Sequence, residues 1–389
     1  VLSRDAQPLA LYVHFPWCVR KCPYCDFNSH PLRGEVPETA YVDALIRDLD
    51  FELRSFDTAL AGRGLGSIFM GGGTPSLFSD AAVARLLDAV AARLPMAPDI
   101  EVTLEANPGT VDESHFRGYR AAGVNRLSIG VQSMDDAQLR VLGRIHGRDD
   151  ALRAVDIARR AGFDNLNLDL MFALPRQTPE AAETDLRALI ALAPEHVSYY
   201  HLTLEPNTAF AAAPPPLPDD DVAWAIHTAG QALLAEAGYA QYEVSAYARP
   251  NRRARHNLSY WTFGDYLGIG AGAHGKIGSG AAGIRRRARH KLPRLFLAGA
   301  GSAAALQSDS VVEPADLPFE FMMNVLRLHE GFVPQAFVDA TGLALDAIEI
   351  PLVRAQTLGL IERTPQRIRP SARGRDHLNS LIELFLPDA

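Results

Sequence analysis

All three cysteines of this chain fall within eight residues, in the run Pro16-Trp17-Cys18-Val19-Arg20-Lys21-Cys22-Pro23-Tyr24-Cys25. A 389-residue protein that used cysteine for packing would scatter it among its buried positions. An odd number cannot pair off into disulfides, and a secreted framework would spread its bridges along the chain. Three thiolates on one tight C-x3-C-x2-C loop suit a cubane [4Fe–4S] cluster, with Cys18, Cys22 and Cys25 on three irons and the fourth open to a small molecule. A zinc loop completed by a distant histidine, or three unrelated thiols, would use the same residues, and the flanking sequence favours the cluster.

The elements needed to position such a loop are legible in the alternation that follows it. Apolar runs rich in β-formers are expected as strands at Ala10–Phe15, Ser67–Met70, Glu101–Glu105, Arg126–Val131, Asn165–Phe172 and Val197–Leu204. Amphipathic stretches between and after them (38–56, 81–94, 111–122, 149–161, 179–193 and 221–237) predict crossover helices, and Gly123, Gly162 and Gly238 sit just past three of these. Six βα units fall short of the eight of a closed barrel. The expected fold is therefore α/β, an open three-quarter (β/α)6 barrel whose chemistry gathers at the C-terminal strand ends. The cysteines follow strand one, Gly71-Gly72-Gly73-Thr74-Pro75 follows strand two, Glu105 ends strand three, Gln132 ends strand four and Asp169 lies in strand five.

Residues 1–240 thus read as the barrel domain. Residues 241–314, rich in glycine and arginine, read as a connecting region, and residues 315–389 as a small winged-helix-like module. That last stretch holds seven arginines, no lysine and ten acids, and the whole chain has a net charge of −8, so nucleic acid is not expected as a partner. No apolar run approaches the length of a membrane span, and no basic-then-apolar leader is seen. Free thiols and an oxygen-sensitive cluster then point to the cytoplasm.

With these residues in hand, the chain resembles the radical S-adenosylmethionine (SAM) superfamily. The run Leu11-Tyr12-Val13-His14-Phe15-Pro16-Trp17-Cys18, with Cys22-Pro23-Tyr24-Cys25-Asp26-Phe27-Asn28-Ser29-His30, is similar to the oxygen-independent coproporphyrinogen III oxidase-like family, and most of all to its haem-chaperone branch. The resemblance implies that one iron of the cluster chelates SAM, and that one electron from the cluster cleaves SAM to methionine and a 5′-deoxyadenosyl radical. It implies that Tyr12 and Tyr24 border cluster and SAM, and that Gly72, Gly73 and Thr74 admit the methionyl end of SAM. Glu105 would meet its ribose or amino group. Gln132, Arg144 and Asp169 match positions that hold a second SAM in the oxidase branch. Arg144 alone would read equally as a solvated helix-end arginine, whereas Asp169, between Leu168 and Leu170, needs a buried partner.

Two departures separate the chain from the oxidases: Cys25 is followed by Asp26 rather than by a C-x-C ending, and strand one begins near Leu9 with no long extension before it. The run His256-Asn257-Leu258-Ser259-Tyr260-Trp261 matches an HNxxYW motif that this branch associates with haem. His256 is then the expected haem ligand, with Tyr260 and Trp261 against the macrocycle and nearby arginines, including Arg285–Arg287 and Arg289, for the propionates. Gly270-Ala271-Gly272-Ala273-His274-Gly275 fits a dinucleotide-binding string but lacks the helix and acid that should follow, so NAD is rejected in favour of close backbone approach to adenosine. The expected function is a haem chaperone that binds cluster, SAM and haem and passes haem to acceptor haemoproteins, with an external electron donor and a cluster-dependent homodimer as conceivable partners. Coproporphyrinogen III oxidation is the alternative, and a regulatory cluster protein whose tail binds a partner or operator the third.

Overall fold

The computed structural model describes residues 8–279 and 283–387. Its centre is a mixed sheet, twelve-stranded among the described residues. The strands are β1 (Leu9–Phe15), β2 (Leu65–Gly72), β3 (Met96–Ala106), β4 (Arg126–Gln132), β5 (Leu166–Phe172), β6 (His196–His201), β7 (Ala240–Gln241), β8 (Ala246–Ala248), β9 (Tyr266–Ile269), β10 (His274–Ser279), β11 (Gly283–Arg289) and β12 (Leu306–Val311). Their order across the sheet is β12-β11-β10-β9-β1-β2-β3-β4-β5-β6-β8-β7. Strands β9 and β1 to β6 run parallel, and the two margins are antiparallel. A continuous apolar run such as Leu9-Ala10-Leu11 is what a strand covered on both faces requires, and these residues are fully buried.

Helices α1 (Glu38–Ser55), α2 (Asp80–Ala91), α3 (Glu113–Ala121), α4 (Arg148–Arg160), α5 (Pro179–Ile190) and α6 (Asp220–Glu236) follow successive strands. Local chemistry fixes their starts. The side chains of Ser79, Asp112, Thr178 and Asp219 each accept the backbone N–H three residues on. Gly123, Gly162 and Gly238 follow helix ends at φ of 107°, 88° and 84°, the left-handed conformation that closes a helix without a Cβ clash.

The region after residue 241 is woven into the same sheet. The buried run Tyr266–Ile269 places β9 beside β1, in register from Ala10↔Tyr266 to Val13↔Ile269. After Gly270 and Gly272 the chain enters β10, not a helix, in keeping with the rejection of a dinucleotide site. These glycines serve close approaches within the protein: a Cβ on Gly270 would lie 2.5 Å from the His14 carbonyl, and one on Gly272 would lie 2.3 Å from Asn28 Nδ2. Beyond the sheet, helices Leu317–Val325, Pro334–Thr341 and Glu349–Thr357 and a hairpin of Ile361–Arg363 with Ile368–Pro370 enclose a second hydrophobic cluster around Phe321, Phe337, Leu352 and Ile368. Among the described residues no helix is long and apolar enough to cross a membrane.

Candidate functional site

The cysteine loop leaves β1 and closes on itself. Trp17–Cys18 pairs with His30–Pro31, and backbone bonds run from His30 N to Pro16 O (2.7 Å) and from Leu32 N to Cys18 O (2.8 Å). Asn28 ties the loop to the far side of the sheet, donating from Nδ2 to the carbonyls of Ala271 (2.8 Å) and Lys291 (2.9 Å). The Gly71–Gly73 turn docks underneath, with Gly73 N and Thr74 N donating to Phe15 O and Trp17 O. A Cβ on Gly73 would stand 2.5 Å from the Trp17 carbonyl, so only glycine lets the two loops meet. Each thiol has a polar neighbour: Thr74 Oγ1 donates to Cys18 Sγ (3.4 Å), Arg144 Nη1 faces Cys22 Sγ (3.8 Å), and Ser29 Oγ lies 3.7 Å from Cys25 Sγ. Burial pushes the Cys18 and Cys25 thiols up, while Thr74 and Ser29 pull them back down.

All three cysteines line one cavity of about 620 Å³ at the C-terminal ends of the parallel strands. Tyr24, Gly72, Gly73, Thr74, Glu105, Gln132, Arg144 and Asp169 stand in the same wall, brought together from five successive βα units. Gln132 reaches it through a bulge between Gly130 and Gln132 and a φ of 71°, while Leu170 opposite stays in the core. Arg144 is no solvated helix end: it is held by Gly130 O at 2.7 Å beside Cys22.

The floor of this cavity is polar in a way the sequence reading missed. Ser128, Asn167 and His196 are partners across β4, β5 and β6, and Gly130, Asp169 and Ser198 form the next row. Asn167 donates to Ser128 Oγ (2.8 Å) and Asp169 Oδ1 (2.7 Å), and His196 Nδ1 lies 2.6 Å from Asn167 Oδ1. The signal was available as polar residues at every second position of otherwise apolar strands, which must share one face. Glu105 accepts the Gly72 N–H at 3.0 Å, and burial, reinforced by the nearby Asp169 carboxylate, raises its pKa to about 7. Burial raises Asp169 too. Among the described residues, Arg126 Nε and Arg144 Nε are buried without a hydrogen-bond partner. Two buried carboxylates facing two incompletely bonded guanidiniums make a receptor for a ligand with separate positive and negative ends.

A second cavity of about 690 Å³ shares Cys25, Gly72 and Glu105 with the first. Tyr12 lines this one, its hydroxyl 3.0 Å from His14 Nδ1, together with Phe27, Tyr260, Trp261 and Tyr266. His256 lines neither cavity. It is 1% exposed, with Nδ1 3.1 Å from Ser67 Oγ and Nε2 2.8 Å from Tyr260 Oη, and its ring stacks on Phe69. Burial lowers its pKa to about 3, so the ring is neutral. The Glu101 carboxylate accepts the backbone N–H of Arg255 and His256 and so fixes the start of helix α7 (Arg255–Trp261).

The arginine runs are also committed elsewhere. On β11 Arg285, Arg287 and Arg289 share one face, where Arg287 and Arg289 meet Glu52 and Asp48 and Arg285 meets Asp309, while Arg286 on the other face meets Glu320. Arg252, Arg253 and Arg255 pair with Asp164, Glu330 and Asp99. The expectation that these arginines wait for propionates is corrected for Arg287 and Arg289, which are buried against acids of α1, while the others meet acids of the chain in more exposed pairs.

Comparison with known proteins agrees with this geometry. The radical SAM superfamily profile matches residues 12–189, and the HemN C-terminal domain profile matches residues 312–377. The chain is 51% identical over 382 residues to the "Heme chaperone HemW" of Escherichia coli, covering 98% of this chain and 99% of that protein. It is 47% identical over 381 residues to the protein of the same name from Haemophilus influenzae, covering 98% of each. Among solved structures, the coproporphyrinogen III oxidase HemN of Escherichia coli superposes with a TM-score of 0.83 over 98% of this chain and 90% of that one, at 24% identity, which speaks for the fold alone. The chain thus shares with these proteins an α/β architecture of mixed sheet and radical-SAM-like core.

Proposed function

The chain belongs to the radical SAM superfamily and, within it, to the HemN/HemW-like family, and from that premise we propose that it is a haem chaperone. In this reading it holds a [4Fe–4S] cluster on Cys18, Cys22 and Cys25, binds SAM, and passes haem to an acceptor haemoprotein in the cytoplasm. The observation that carries it is the near full-length identity to two proteins named as haem chaperones. The two adjoining cavities support it, one lined by the cysteines and one by aromatic rings. The six βα units over 1–240 then form the open partial barrel. Residues 241–314 continue its sheet, and 315–389 make a winged-helix-like module that packs against protein rather than nucleic acid.

Among the described residues no group of three or more His, Cys, Asp or Glu is placed to hold a single metal ion. A cubane makes a different demand, because each thiolate binds its own iron and the sulfurs need not converge on one point. The donors at each sulfur and the glycine seat under the loop fit that group, and the paired carboxylates with two incompletely bonded guanidiniums fit the ammonium, sulfonium and carboxylate of SAM. When bound, the reduced cluster supplies one electron to SAM. The chain's own part is to hold and screen. Thr74, Arg144 and Ser29 steady the sulfurs, Glu105 and Asp169 offer negative charge, and Tyr24 and Tyr200 wall the cavity, Tyr200 fixed by a 2.6 Å bond to Gln132 Oε1.

Glu105 gives this reading a pH signature. A carboxyl with a pKa near 7 is increasingly protonated below that value, and a cationic ligand favours its ionised form. The charged group that shifts it is the Asp169 carboxylate, which opposes its ionisation. SAM affinity measured by calorimetry is expected to be flat above pH 8 and to weaken below 7, by up to roughly tenfold per unit. E105Q should bind more weakly with no such slope; a wild-type affinity independent of pH would remove Glu105 from the SAM site.

The function is tested by two anaerobic assays on the reconstituted protein. Haem-loaded protein should give up its haem to an apo-haemoprotein, read as growth of the acceptor's own absorbance. Coproporphyrinogen III with SAM and reductant should yield no protoporphyrinogen IX. Substantial turnover in the second assay, or no transfer in the first, overturns the chaperone reading.

A further inference from the structure

The haem motif of this chain is split by its own fold. Tyr260 and Trp261 stand in the wall of the second cavity, but His256, one helical turn before Tyr260, is turned away into the core with both ring nitrogens engaged. An imidazole that must coordinate iron needs a free nitrogen with its lone pair directed into open space. Two histidines line the cavity. His14 fails the requirement, since Nδ1 is 3.0 Å from the Tyr12 hydroxyl and Nε2 is 2.8 Å from the Asn28 carbonyl. His274, the first residue of β10, is exposed, and among the described residues its ring makes no hydrogen bond.

We propose that the second cavity is the haem pocket and that His274, not His256, supplies the axial nitrogen. This rests on the haem-chaperone reading and names the ligand within it. The surroundings suit the macrocycle. Tyr260 and Tyr266 stand edge to face at 4.5 Å, Trp261 lies beside them, and Phe27 is 59% exposed on the cysteine loop. The cations suit its propionates. With the arginines of β11 consumed by internal acids, Lys21 and Lys291 are the lysines of the wall, and the Lys291 ammonium has no partner among the described residues. His256 becomes a positioning residue. By holding the Tyr260 hydroxyl at 2.8 Å and stacking on Phe69, it sets the aromatic face without touching the ligand.

The test is a titration of haemin into the full chain under argon, followed by Soret absorbance and by EPR of the ferric complex. Wild type should show a nitrogen-ligated spectrum. H274A should lose that spectrum and roughly tenfold or more in affinity, and free imidazole should restore the spectrum. H256N should keep nitrogen ligation. K291A should weaken binding of haemin but not of its dimethyl ester, whose propionates carry no charge. An H274A protein with wild-type spectrum and affinity, or one that imidazole fails to restore, overturns the assignment; so does loss of nitrogen ligation in H256N alone. A wild-type protein that binds no haem would instead remove the chaperone reading beneath it.

Discussion

Replacing Cys22 by serine should abolish iron binding: anaerobically reconstituted C22S is expected to fall from about four irons per chain to near zero and to lose the charge-transfer absorbance of the cluster. The size of the effect follows from the site. Protein thiolates hold only three of the irons, so loss of one leaves two sulfurs on a loop with no other soft ligand. No fourth cysteine exists anywhere in the chain to replace it. The loop itself should survive, because its closure depends on Trp17–Cys18 pairing with His30–Pro31 and on Asn28, none of which needs the metal. The far-ultraviolet spectrum of C22S should therefore match wild type. Retention of several irons by C22S would show that the cysteines are not the ligands.

The second large effect lies far from the cysteines. Arg289 is 0% exposed and lies 3.2 Å from Asp48 and 2.8 Å from Glu52, both also buried. Burial, with a smaller push from the Glu52 carboxylate, raises the Asp48 carboxyl, and the Arg289 charge opposes that rise. R289M removes the cation and leaves the Asp48 carboxylate unpaired in the core, while Glu52 keeps Arg287 at 2.8 Å, a change that typically costs about 3–5 kcal/mol. Unfolding of R289M should occur several degrees below wild type, and D48N in the same background should recover much of the loss by removing the unpaired charge. The cluster also positions function. Asp48 accepts the Gly270 N–H at 3.1 Å, and the turn it steadies receives Asn28 of the cysteine loop through the Ala271 carbonyl. Haem affinity should fall along with stability. An R289M protein as stable as wild type would mean that the buried pair contributes nothing net.

The cysteine loop and the glycine turn could be read from residue type and spacing because their chemistry is local: C-x3-C-x2-C needs only a loop, and Gly73 needs only the absence of a Cβ. Glu105, Gln132 and Asp169 could be placed because each ends or interrupts an apolar run at the same end of a βα unit, and one topology rule then collects them. The row Ser128–Asn167–His196 was equally present in the alternation of its strands, but its members meet only through the register of three strands remote in sequence. His256 and the arginines of β11 show the opposite limit. A histidine before two aromatics reads as a ligand from spacing alone, which does not show Ser67, 189 residues away in sequence, on its ring nitrogen. A basic run looks solvent-facing until the strand is seen to lay Arg287 and Arg289 onto acids of α1. Long-range partners, invisible to spacing, decide whether a polar residue is available. His274 was passed over for the same reason, embedded in a glycine string that drew attention only as a dinucleotide motif.

The central claim is a cubane cluster with one iron left open for SAM. Mössbauer spectroscopy of the 57Fe-reconstituted protein, with and without SAM, tests it most directly. The expected result is that about a quarter of the iron absorption moves to the parameters of a site with added oxygen and nitrogen ligands when SAM is present, while the rest stays unchanged. A spectrum that SAM leaves unaltered, with every iron already fully coordinated, or a preparation that takes up zinc in place of iron, would contradict it.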